Sequence, residues 1–290
     1  MSDRPVIVTG AGGFIGWAVA TELHANGVPV VGIVRSPPSA APFSWRTLDL
    51  EVDSLAAAVG PLSPETVVHC AASVPAASLR LDDEAHADST RHMDAGIVDA
   101  CANLGCRLIY MSSCILYDPA DPETKNERSS VYATTPYAAA KLSGELIAGA
   151  LDGSVVMRIP SPVGGFGSRN TVFDRFVERA VNAQPLEIWG TGRREQDFVH
   201  VADIAEFVRR ALSKRVDGIF NVASGLPITM RGLAETIIDV VGSGSVVSSD
   251  VPDPQDGHTA RYDIRGAQQA LDWAPRVDIR AMIEQHVARF

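Results

Sequence analysis

Cysteine is scarce in this sequence, and its scarcity argues against two classes of protein. The 290 residues include four cysteines, namely Cys70, Cys101, Cys106 and Cys114, and their spacing matches neither a disulfide framework nor a metal motif. A disulfide-stabilised secreted domain is therefore not expected, and no metal site is assigned. Reduced thiols are the simplest interpretation, which indicates a cytoplasmic protein.

Long apolar runs and an excess of positive charge are also lacking. No stretch of about 18 apolar residues occurs, and the chain runs from Ser2 almost directly into a strand, without a signal-peptide pattern. With a formal net charge of -10, the protein is not expected to bind nucleic acid or a membrane. A small anionic ligand needs only a local basic site, so the composition suits a soluble enzyme acting on a small-molecule substrate.

Near its start the sequence does contain a glycine turn between an apolar strand and a helical pattern. Val6 to Val8 predict a buried strand, and Gly10, Gly13 and Gly16 follow at once. Glycines allow a sharp turn and a close approach to phosphate, and a helix start presents N–H groups and a positive dipole end. The segment predicts a site for the pyrophosphate of a dinucleotide. The alternative is a structural turn with no ligand.

The residues after the second predicted strand bear on the choice of cofactor. An NAD site of this type usually has an Asp or Glu here to accept bonds from the ribose hydroxyls, but this chain has Val34, followed by Arg35 and Ser36. A cation and a hydroxyl suit a 2′-phosphate, so NADP is the favoured cofactor and NAD the second choice. Arg35 stacked on the adenine, or simply solvated, is the alternative. Asp49 is a candidate for the adenine amino group, or else a turn residue.

Strands and helices alternate through the first half of the chain, and Leu48 begins a unit of its own. The other predicted segments are strands at 28–34, 66–70 and 107–112 and helices at 55–59 and 88–104. This alternation indicates an α/β fold, a Rossmann-type doubly wound parallel sheet with ligands at the carboxyl ends of its strands. Ala71 and Ala72 leave room for a cofactor after one such strand. His69, a lone histidine in an apolar strand, is assigned a structural role.

A tyrosine and a lysine four residues apart begin the next predicted helix. Tyr137 and Lys141 follow Pro136, and this spacing places both side chains on one helix face. A nearby ammonium favours the phenolate, which can exchange a proton with a carbinol or ketone oxygen. A hydroxyl from Ser112 or Ser113, at the end of the preceding strand, can supply a second hydrogen bond to that oxygen. An ordinary surface Tyr–Lys pair is the alternative.

These motifs resemble those of the extended short-chain dehydrogenases/reductases, the NAD(P)-dependent epimerase/dehydratase family, over nearly the whole chain. The matching segments are TGAGGFIG at 9–16, DL at 49–50, HCAA at 69–72, SSCILY at 112–117, YAAAK at 137–141, RIPSPVGG at 158–165, GTGRREQDFVHVADIA at 190–205, FNVAS at 220–224 and LDWAP at 271–275. The resemblance implies that Ser113, Tyr137 and Lys141 are catalytic, with Tyr137 as the acid–base group. The cofactor contacts expected from the motifs together are Gly10, Gly13, Phe14, Ile15, Gly16, Arg35, Ser36, Asp49, Leu50, Ala71, Ala72, Tyr137, Lys141 and Pro160.

Two departures from the family narrow the reaction. The family's 4,6-dehydratases carry an Asp-Glu pair directly after the catalytic Thr, but here the residues are Cys114 and Ile115, so elimination of water is not expected. Relatives similar to GDP-fucose synthase place a catalytic cysteine two residues after the serine, whereas Cys114 follows Ser113 by one. A shift of one residue near a strand end turns a side chain to another face. Cys114 is therefore interpreted as a structural thiol.

The chain after residue 160 is expected to build the substrate pocket. We predict a Rossmann domain over 1–160 that also takes back about 197–224, and a mainly substrate-binding region over 161–290. The elements predicted there are helices at 170–182, 203–212, 233–241 and 279–287 and a strand at 219–222. The family resemblance also implies a homodimer, formed through the helices near 88–104 and 137–151.

The expected substrate is a sugar-like or other polyhydroxylated carbonyl compound. Relatives that act on nucleotide sugars commonly have Arg before the Asp of an Arg-Asp-Phe motif, where it meets the diphosphate. This chain has Gln196, which brings no charge and lacks the bidentate fork that suits phosphate. Arg193, Arg194 or Arg175 could compensate, so substrates with and without a nucleotide both stay open. The candidate substrate contacts are Ser73, Ser113, Asn170, Arg194 and Gln196.

Three functions are compatible with these patterns. An NAD(P)-dependent ketoreductase is favoured. A nucleotide-sugar epimerase with tightly bound NAD(P) needs the same hydride machinery and is the second interpretation. A dinucleotide-binding sensor without catalysis is the third, although the serine, tyrosine and lysine argue against it.

Overall fold

The computed structural model describes residues 4–73, 83–165 and 170–290. Its helices are α1 (Phe14–Ala25), α2 (Leu55–Val59), α3 (Glu84–Leu104), α4 (Pro136–Gly149), α5 (Val172–Val181), α6 (Val201–Lys214), α7 (Met230–Val241), α8 (Arg265–Leu271) and α9 (Ile279–Val287). Its strands are β1 (Val6–Thr9), β2 (Val30–Val34), β3 (Ser44–Thr47), β4 (Thr66–His69), β5 (Arg107–Ser113), β6 (Val155–Ile159), β7 (Ser161–Val163), β8 (Pro185–Ile188), β9 (Glu195–Gln196), β10 (Phe198–His200), β11 (Gly218–Asn221), β12 (Ile228–Thr229) and β13 (Ser245–Ser248).

The central sheet has the strand order β11-β6-β5-β4-β1-β2-β3 in the described part of the chain. Its strand pairs are all parallel, so the carboxyl ends of its strands meet at one edge. The chain runs outward from β1 in one direction and from β4 in the other. This reversal opens a crevice between β1 and β4, where an open α/β sheet binds its ligands. The predicted doubly wound Rossmann-type fold is confirmed.

Helices cover both faces of this sheet because its strands are apolar on both sides. On one face α1 and α6 bury side chains such as Leu23 and Phe207 against the strands. On the other face α2, α3 and α4 bury residues such as Ile97 and Ala148. A separate apolar cluster lies in the later half of the chain, where Phe173 of α5 and Ile237 of α7 pack beneath β8 and α9. The short pairs β7–β10, β9–β12 and β8–β13 lie outside the central sheet.

Several elements differ from those expected of the sequence. The unit expected to begin at Leu48 has its strand β3 earlier, at Ser44–Thr47, and all four of these residues are exposed. An exposed edge strand has no alternation of buried and exposed residues by which the sequence could reveal it. Its backbone is held in the sheet by pairing with β2. The buried strand β6 was not among the predicted elements, because Arg158 interrupts its apolar run. In the described residues no helix has both the length and the apolar character needed to cross a bilayer.

Candidate active site

The glycine turn after β1 is packed so closely that side chains would not fit at two positions. Gly10 has a φ of +62°, and a Cβ added to it would lie 2.8 Å from the backbone nitrogen of Ala71. A Cβ on Gly16 would lie 2.2 Å from the carbonyl oxygen of Gly10. Gly13 precedes α1, whose first turn, beginning at Phe14, contains no acidic side chain. A bare backbone cradle before a helix N-terminus fits the pyrophosphate of a dinucleotide.

The residues expected to bind the adenosine half of the cofactor follow β2 and β3. Arg35 and Ser36 are exposed directly after β2, while Asp49 and Leu50 are half-buried. The Oδ1 atom of Asp49 accepts a hydrogen bond of 3.1 Å from the backbone N–H of Glu51. Asp49 therefore uses one carboxylate oxygen to stabilise a turn of the backbone. Arg35 is a cation that directly follows β2.

The carboxyl ends of β4, β5 and β6 bring together residues that are separated in sequence. His69 of β4 is opposite Tyr110 of β5, and Ser113 at the end of β5 is opposite Ile159 of β6. The predicted site residues at this edge are all half-buried, namely Ala71, Ala72, Ser73, Ser113 and Pro160. Each of them therefore keeps some surface open to solvent at this edge.

Helix α4 presents the predicted tyrosine and lysine to the same edge. The hydroxyl of Thr135 caps the helix by accepting a hydrogen bond of 3.1 Å from the N–H of Ala138, and Pro136 occupies the first helical turn, where its missing N–H costs nothing. Tyr137 is half-buried, whereas Lys141 is only 3% exposed. The helix thus carries a buried ammonium one turn after a half-buried tyrosine.

The ammonium of Lys141 is held by fixed acceptors on β5. It donates to the carbonyl oxygen of Met111 at 3.0 Å and to the Tyr110 hydroxyl at 3.3 Å. The hydroxyl of Ser113, at the end of the same strand, accepts a bond of 3.2 Å from the N–H of Ile115. That bond uses an oxygen lone pair, so the hydroxyl hydrogen can be donated to a ligand.

A buried ion pair behind this site had no signal in the sequence. Arg158 of β6 makes two hydrogen bonds to Glu145 of α4, at 3.0 and 2.8 Å, and Ser112 donates to the same carboxylate at 2.5 Å. Both charged side chains are less than 5% exposed. A bidentate pair of this kind fixes α4 against β5 and β6, and thereby the position of Tyr137.

Two residues with a catalytic alternative have the environments of structural groups. Cys114 is 3% exposed, and burial raises the pKa of its thiol well above the ordinary value, which opposes a role as nucleophile. His69 is 1% exposed and is hydrogen-bonded to Thr9 at 2.7 Å and Asp94 at 2.9 Å. Within the described ranges no cluster of three His, Cys, Asp or Glu side chains is arranged to hold a metal ion.

The predicted substrate contacts have partners of their own. Ser73 lies 2.7 Å from the Nδ1 atom of His86. Asn170 is exposed, with a φ of +56°, just before α5. Arg194 is less open than expected, because its guanidinium is 3.2 Å from a carboxylate oxygen of Asp253 and donates to Gln255 at 2.6 Å.

Gln196 ends the short strand β9, and Asp197 lies between β9 and β10. Gln196 is half-buried and pairs with Ile228 across the two strands β9 and β12. Asp197 is 1% exposed and accepts hydrogen bonds of 2.8 Å from the backbone N–H groups of Ser224 and Gly225. Burial raises the pKa of the Asp197 carboxyl to about 6, although these hydrogen bonds oppose the shift.

Comparison with known proteins assigns this architecture to a family. The model of the NAD dependent epimerase/dehydratase family matches residues 6–223. A dTDP-4-dehydro-6-deoxy-D-allose reductase of a Streptomyces species is 28% identical, with 98% of this chain and 95% of the relative covered. A UDP-glucose 4-epimerase of Mycolicibacterium smegmatis is 26% identical, with 98% and 97% covered.

Solved structures share the fold over the whole chain. A UDP-glucose-4-epimerase from Stenotrophomonas maltophila, with bound NAD and formylated UDP-arabinopyranose, superposes with a TM-score of 0.88 at 20% identity, covering 98% of this chain and 97% of that one. A UDP-N-acetylglucosamine 4-epimerase from Methanobrevibacter ruminantium M1 gives a TM-score of 0.86 at 23% identity, with both chains fully covered. At this level of identity the likeness concerns the fold.

Proposed function

The chain belongs to the NAD-dependent epimerase/dehydratase family, and on that premise we propose that it is an NAD(P)-dependent oxidoreductase acting on a sugar-like substrate. The reaction is transfer of a hydride to or from a carbonyl or secondary alcohol, with ketone reduction as the favoured direction. The observation that carries this proposal is the buried Lys141 ammonium one helical turn after the half-buried Tyr137 on α4, which lies against β5, the strand that ends at Ser113. Membership of an enzyme family sets aside the non-catalytic sensor.

Three side chains of this chain would take part in proton transfer at the substrate oxygen. A nicotinamide cofactor, when bound, would supply or accept the hydride. The Tyr137 hydroxyl gives a proton to the carbonyl oxygen as it becomes an alcohol, or removes one in the reverse direction. The Ser113 hydroxyl donates a second hydrogen bond to that oxygen and stabilises its developing charge. Lys141 stabilises the phenolate that Tyr137 leaves behind, and the contacts with Met111 and Tyr110 keep its ammonium in place.

The cofactor proposed is NADP, with NAD as the alternative. Support for NADP comes from the end of β2. NAD sites usually carry an acidic residue there, but this chain has Val34 followed by the exposed cation Arg35. Support for NAD comes from solved structures of the same fold, since the Stenotrophomonas epimerase contains bound NAD. The glycine cradle fits the pyrophosphate that both dinucleotides share.

Replacement of Tyr137 tests the catalytic assignment. Tyr137→Phe removes the proton donor and preserves the ring, so we expect kcat to fall by about 100-fold or more, the scale of a lost general acid, with the cofactor still bound. Turnover is measured on a panel of keto-sugars and of sugars with the corresponding hydroxyl group, with and without nucleotides, following NAD(P)H at 340 nm and sugar products by nuclear magnetic resonance. Net NAD(P)H consumption indicates a reductase, and isomerisation without it indicates an epimerase.

A second tyrosine provides the control for this experiment. Tyr132 lies in the loop before α4 and is 50% exposed, so Tyr132→Phe is expected to retain full activity. If Tyr137→Phe turned over at a rate near that of the wild type, the assignment of Tyr137 as the acid–base group would be wrong.

We further propose that the substrate's diphosphate, if present, is held differently from the family norm. Gln196 brings no charge. The Arg194 guanidinium already forms an ion pair with Asp253 and donates a hydrogen bond to Gln255. Against this, the curated relatives are named as enzymes of dTDP- and UDP-sugars. A bidentate guanidinium suits phosphate better than an amide does. We therefore expect the amide of Gln196 to give this protein a low affinity for a diphosphate.

Calorimetry with UDP, TDP and GDP tests this proposal. We expect weak binding by the wild type and a gain of about 10-fold or more in Gln196→Arg, because a charge-assisted hydrogen bond contributes about 1.5–3 kcal/mol. Arg194→Ala is expected to change little. Tight binding of one nucleotide by the wild type that is lost in Arg194→Ala would instead show that Arg194 compensates for Gln196.

A further inference from the structure

A buried carboxylate on α3 lies at the meeting point of two chains of hydrogen bonds. Asp94 is 1% exposed and follows Met93 on the buried side of the helix. Its two oxygens have separate partners, Tyr110 on β5 and His69 on β4. An ionised carboxylate away from water is costly unless it is paired and hydrogen-bonded, and the partners of Asp94 offset that cost.

The first chain of hydrogen bonds leads from Asp94 to Lys141. The Tyr110 hydroxyl donates to the Oδ2 atom of Asp94 at 2.6 Å. The Lys141 ammonium donates in turn to the Tyr110 hydroxyl oxygen at 3.3 Å, and lies 4.8 Å from the centre of the same ring. One tyrosine therefore bridges a buried cation and a buried anion.

The second chain of hydrogen bonds leads from Asp94 to the glycine turn. The Nε2 atom of His69 is 2.9 Å from the Oδ1 atom of Asp94, and the Nδ1 atom is 2.7 Å from the Thr9 hydroxyl. That hydroxyl accepts a bond of 3.3 Å from the N–H of Ala71, the residue that faces Gly10. Asp94 is thus joined both to the predicted active-site lysine and to the predicted cofactor cradle.

A glycine on α4 makes room for this arrangement. A Cβ added to Gly144 would lie 2.0 Å from the Tyr110 hydroxyl and 2.5 Å from the Oδ2 atom of Asp94. Glycine inside a helix costs about 0.5–1 kcal/mol relative to alanine. The contact between Tyr110 and Asp94 therefore depends on a residue that weakens the helix carrying Lys141.

The other titratable groups around Lys141 do not supply a free negative charge. Glu145 of α4 is paired with Arg158, and burial raises the pKa of the Cys70 thiol on the segment after β4. Tyr110 and His69 already bond to Asp94. For Asp94 itself burial favours the neutral acid, but Lys141, His69 and Tyr110 outweigh burial and lower the pKa of its carboxyl.

We infer that Asp94 is the buried counter-ion of Lys141 and a positioning residue for the Tyr137–Lys141 pair. Its charge keeps the lysine ammonium below Tyr137, and its second hydrogen-bond chain ties that charge to the cofactor cradle. This inference rests on the proposed function. Removal of the Asp94 charge is therefore expected to change the ionisation of the groups next to it.

The test is a tyrosinate titration of Asp94→Asn, which needs neither cofactor nor substrate. The ultraviolet difference between each protein and its Tyr137→Phe derivative isolates the ionisation of Tyr137, because the other tyrosines cancel. We expect the midpoint in Asp94→Asn to lie about one pH unit below that of the wild-type background. In turnover, both limbs of the pH profile should move to lower pH. A raised midpoint would show that the ammonium leaves Tyr137 or loses its proton once its counter-ion is removed, which also supports the inference, whereas an unmoved midpoint would overturn it.

Titration and turnover separate this inference from the proposed function. If the midpoint shifts while no substrate turns over, the pairing of Asp94 with Lys141 stands and the proposed function fails. Asp203→Asn is the control, because Asp203 is another buried carboxylate, 3% exposed, whose partners are the backbone N–H groups of Arg276 and Val277. An equal midpoint shift in that variant would show a nonspecific effect and overturn the inference.

A second comparison keeps the test decisive if Asp94→Asn does not fold. An unpaired buried ammonium is destabilising, whereas removal of both members of a buried pair is tolerated far better. Adding Lys141→Met to Asp94→Asn is therefore expected to restore folding, measured by circular dichroism and thermal melting. If the double variant were no more stable than the less stable single variant, Asp94 would not be the counter-ion of Lys141.

Discussion

Arg35 is a single exposed side chain on which the proposed preference between two cofactors depends. Arg35→Ala should remove most of any preference for NADPH over NADH, because a charge-assisted contact with a 2′-phosphate contributes roughly 1.5–3 kcal/mol, or about 10- to 100-fold in affinity. Dissociation constants for both cofactors are measured by fluorescence titration. Arg193→Ala is the control, because Arg193 is also exposed and its replacement changes the net charge equally. This variant is expected to keep the cofactor preference of the wild type. Equal affinity of the wild type for both cofactors would contradict the assignment.

Asp197 is a buried carboxylate whose ionisation opposes folding. Its pKa of about 6 is above the ordinary value for an aspartate, so the folded state binds more protons than the unfolded state between the two values. The stabilisation from this group is complete at low pH and is lost as the pH rises through about 6. Relative to Asp197→Asn, the wild type should lose about 1 kcal/mol of unfolding free energy between about pH 5 and pH 7.5.

Urea unfolding of both proteins at the two pH values measures this difference. Asp263→Asn is the control, since the Asp263 carboxyl bonds to Arg265, which lowers its pKa. That group is expected to be ionised in both folded and unfolded states throughout the window. Identical pH dependence in wild type and Asp197→Asn would show that Asp197 titrates alike in the folded and unfolded protein.

At the scale of elements, the glycine turn joins β1 to α1 by backbone contact alone. Gly16→Ala places a Cβ 2.2 Å from the Gly10 carbonyl oxygen, which is backbone and cannot swing away. We expect the variant to lose about 1–3 kcal/mol of stability, the usual cost of overpacking, and to bind NADPH and NADH at least about tenfold more weakly. Thermal melting and fluorescence titration measure the two effects.

The helix α3 offers a matched control for that substitution. Gly96 is also a helical glycine, but a Cβ there meets no atom within 4 Å. Gly96→Ala should therefore be neutral or stabilise the protein by up to about 1 kcal/mol, because alanine has the higher helix propensity. If Gly16→Ala behaved like Gly96→Ala, the turn would not require glycine at that position.

At the scale of the whole molecule, the chain crosses between its two parts more than once. After the helix α5 it returns to the central sheet, where β11 pairs with β6, and α6 packs with α1 on one face of that sheet. The segment after β11 then leads back to the second apolar cluster. The backbone N–H of Ser224 donates a hydrogen bond to the Asp197 carboxylate between these crossings. The homodimer expected through α3 and α4 stays a prediction.

The sequence by itself determined what depends on neighbours in the chain. The glycine turn, the strand before it and the helix after it are adjacent, so their pattern predicts a dinucleotide cradle directly. Tyr137 and Lys141 are one helical turn apart, and helix geometry alone places them on one face. The alternation of strands and helices similarly indicated the doubly wound sheet, which the structure confirms.

Only the tertiary structure decided which distant residues meet. Asp94, Tyr110 and Lys141 come from three elements, and in the sequence Asp94 is merely an acidic residue within a helix. The engagement of Arg194 by Asp253 and the pairing of the exposed strand β3 likewise had no local signal. The reason is physical: the ionisation and position of a buried group depend on burial and on partners brought in by folding, and sequence spacing encodes neither.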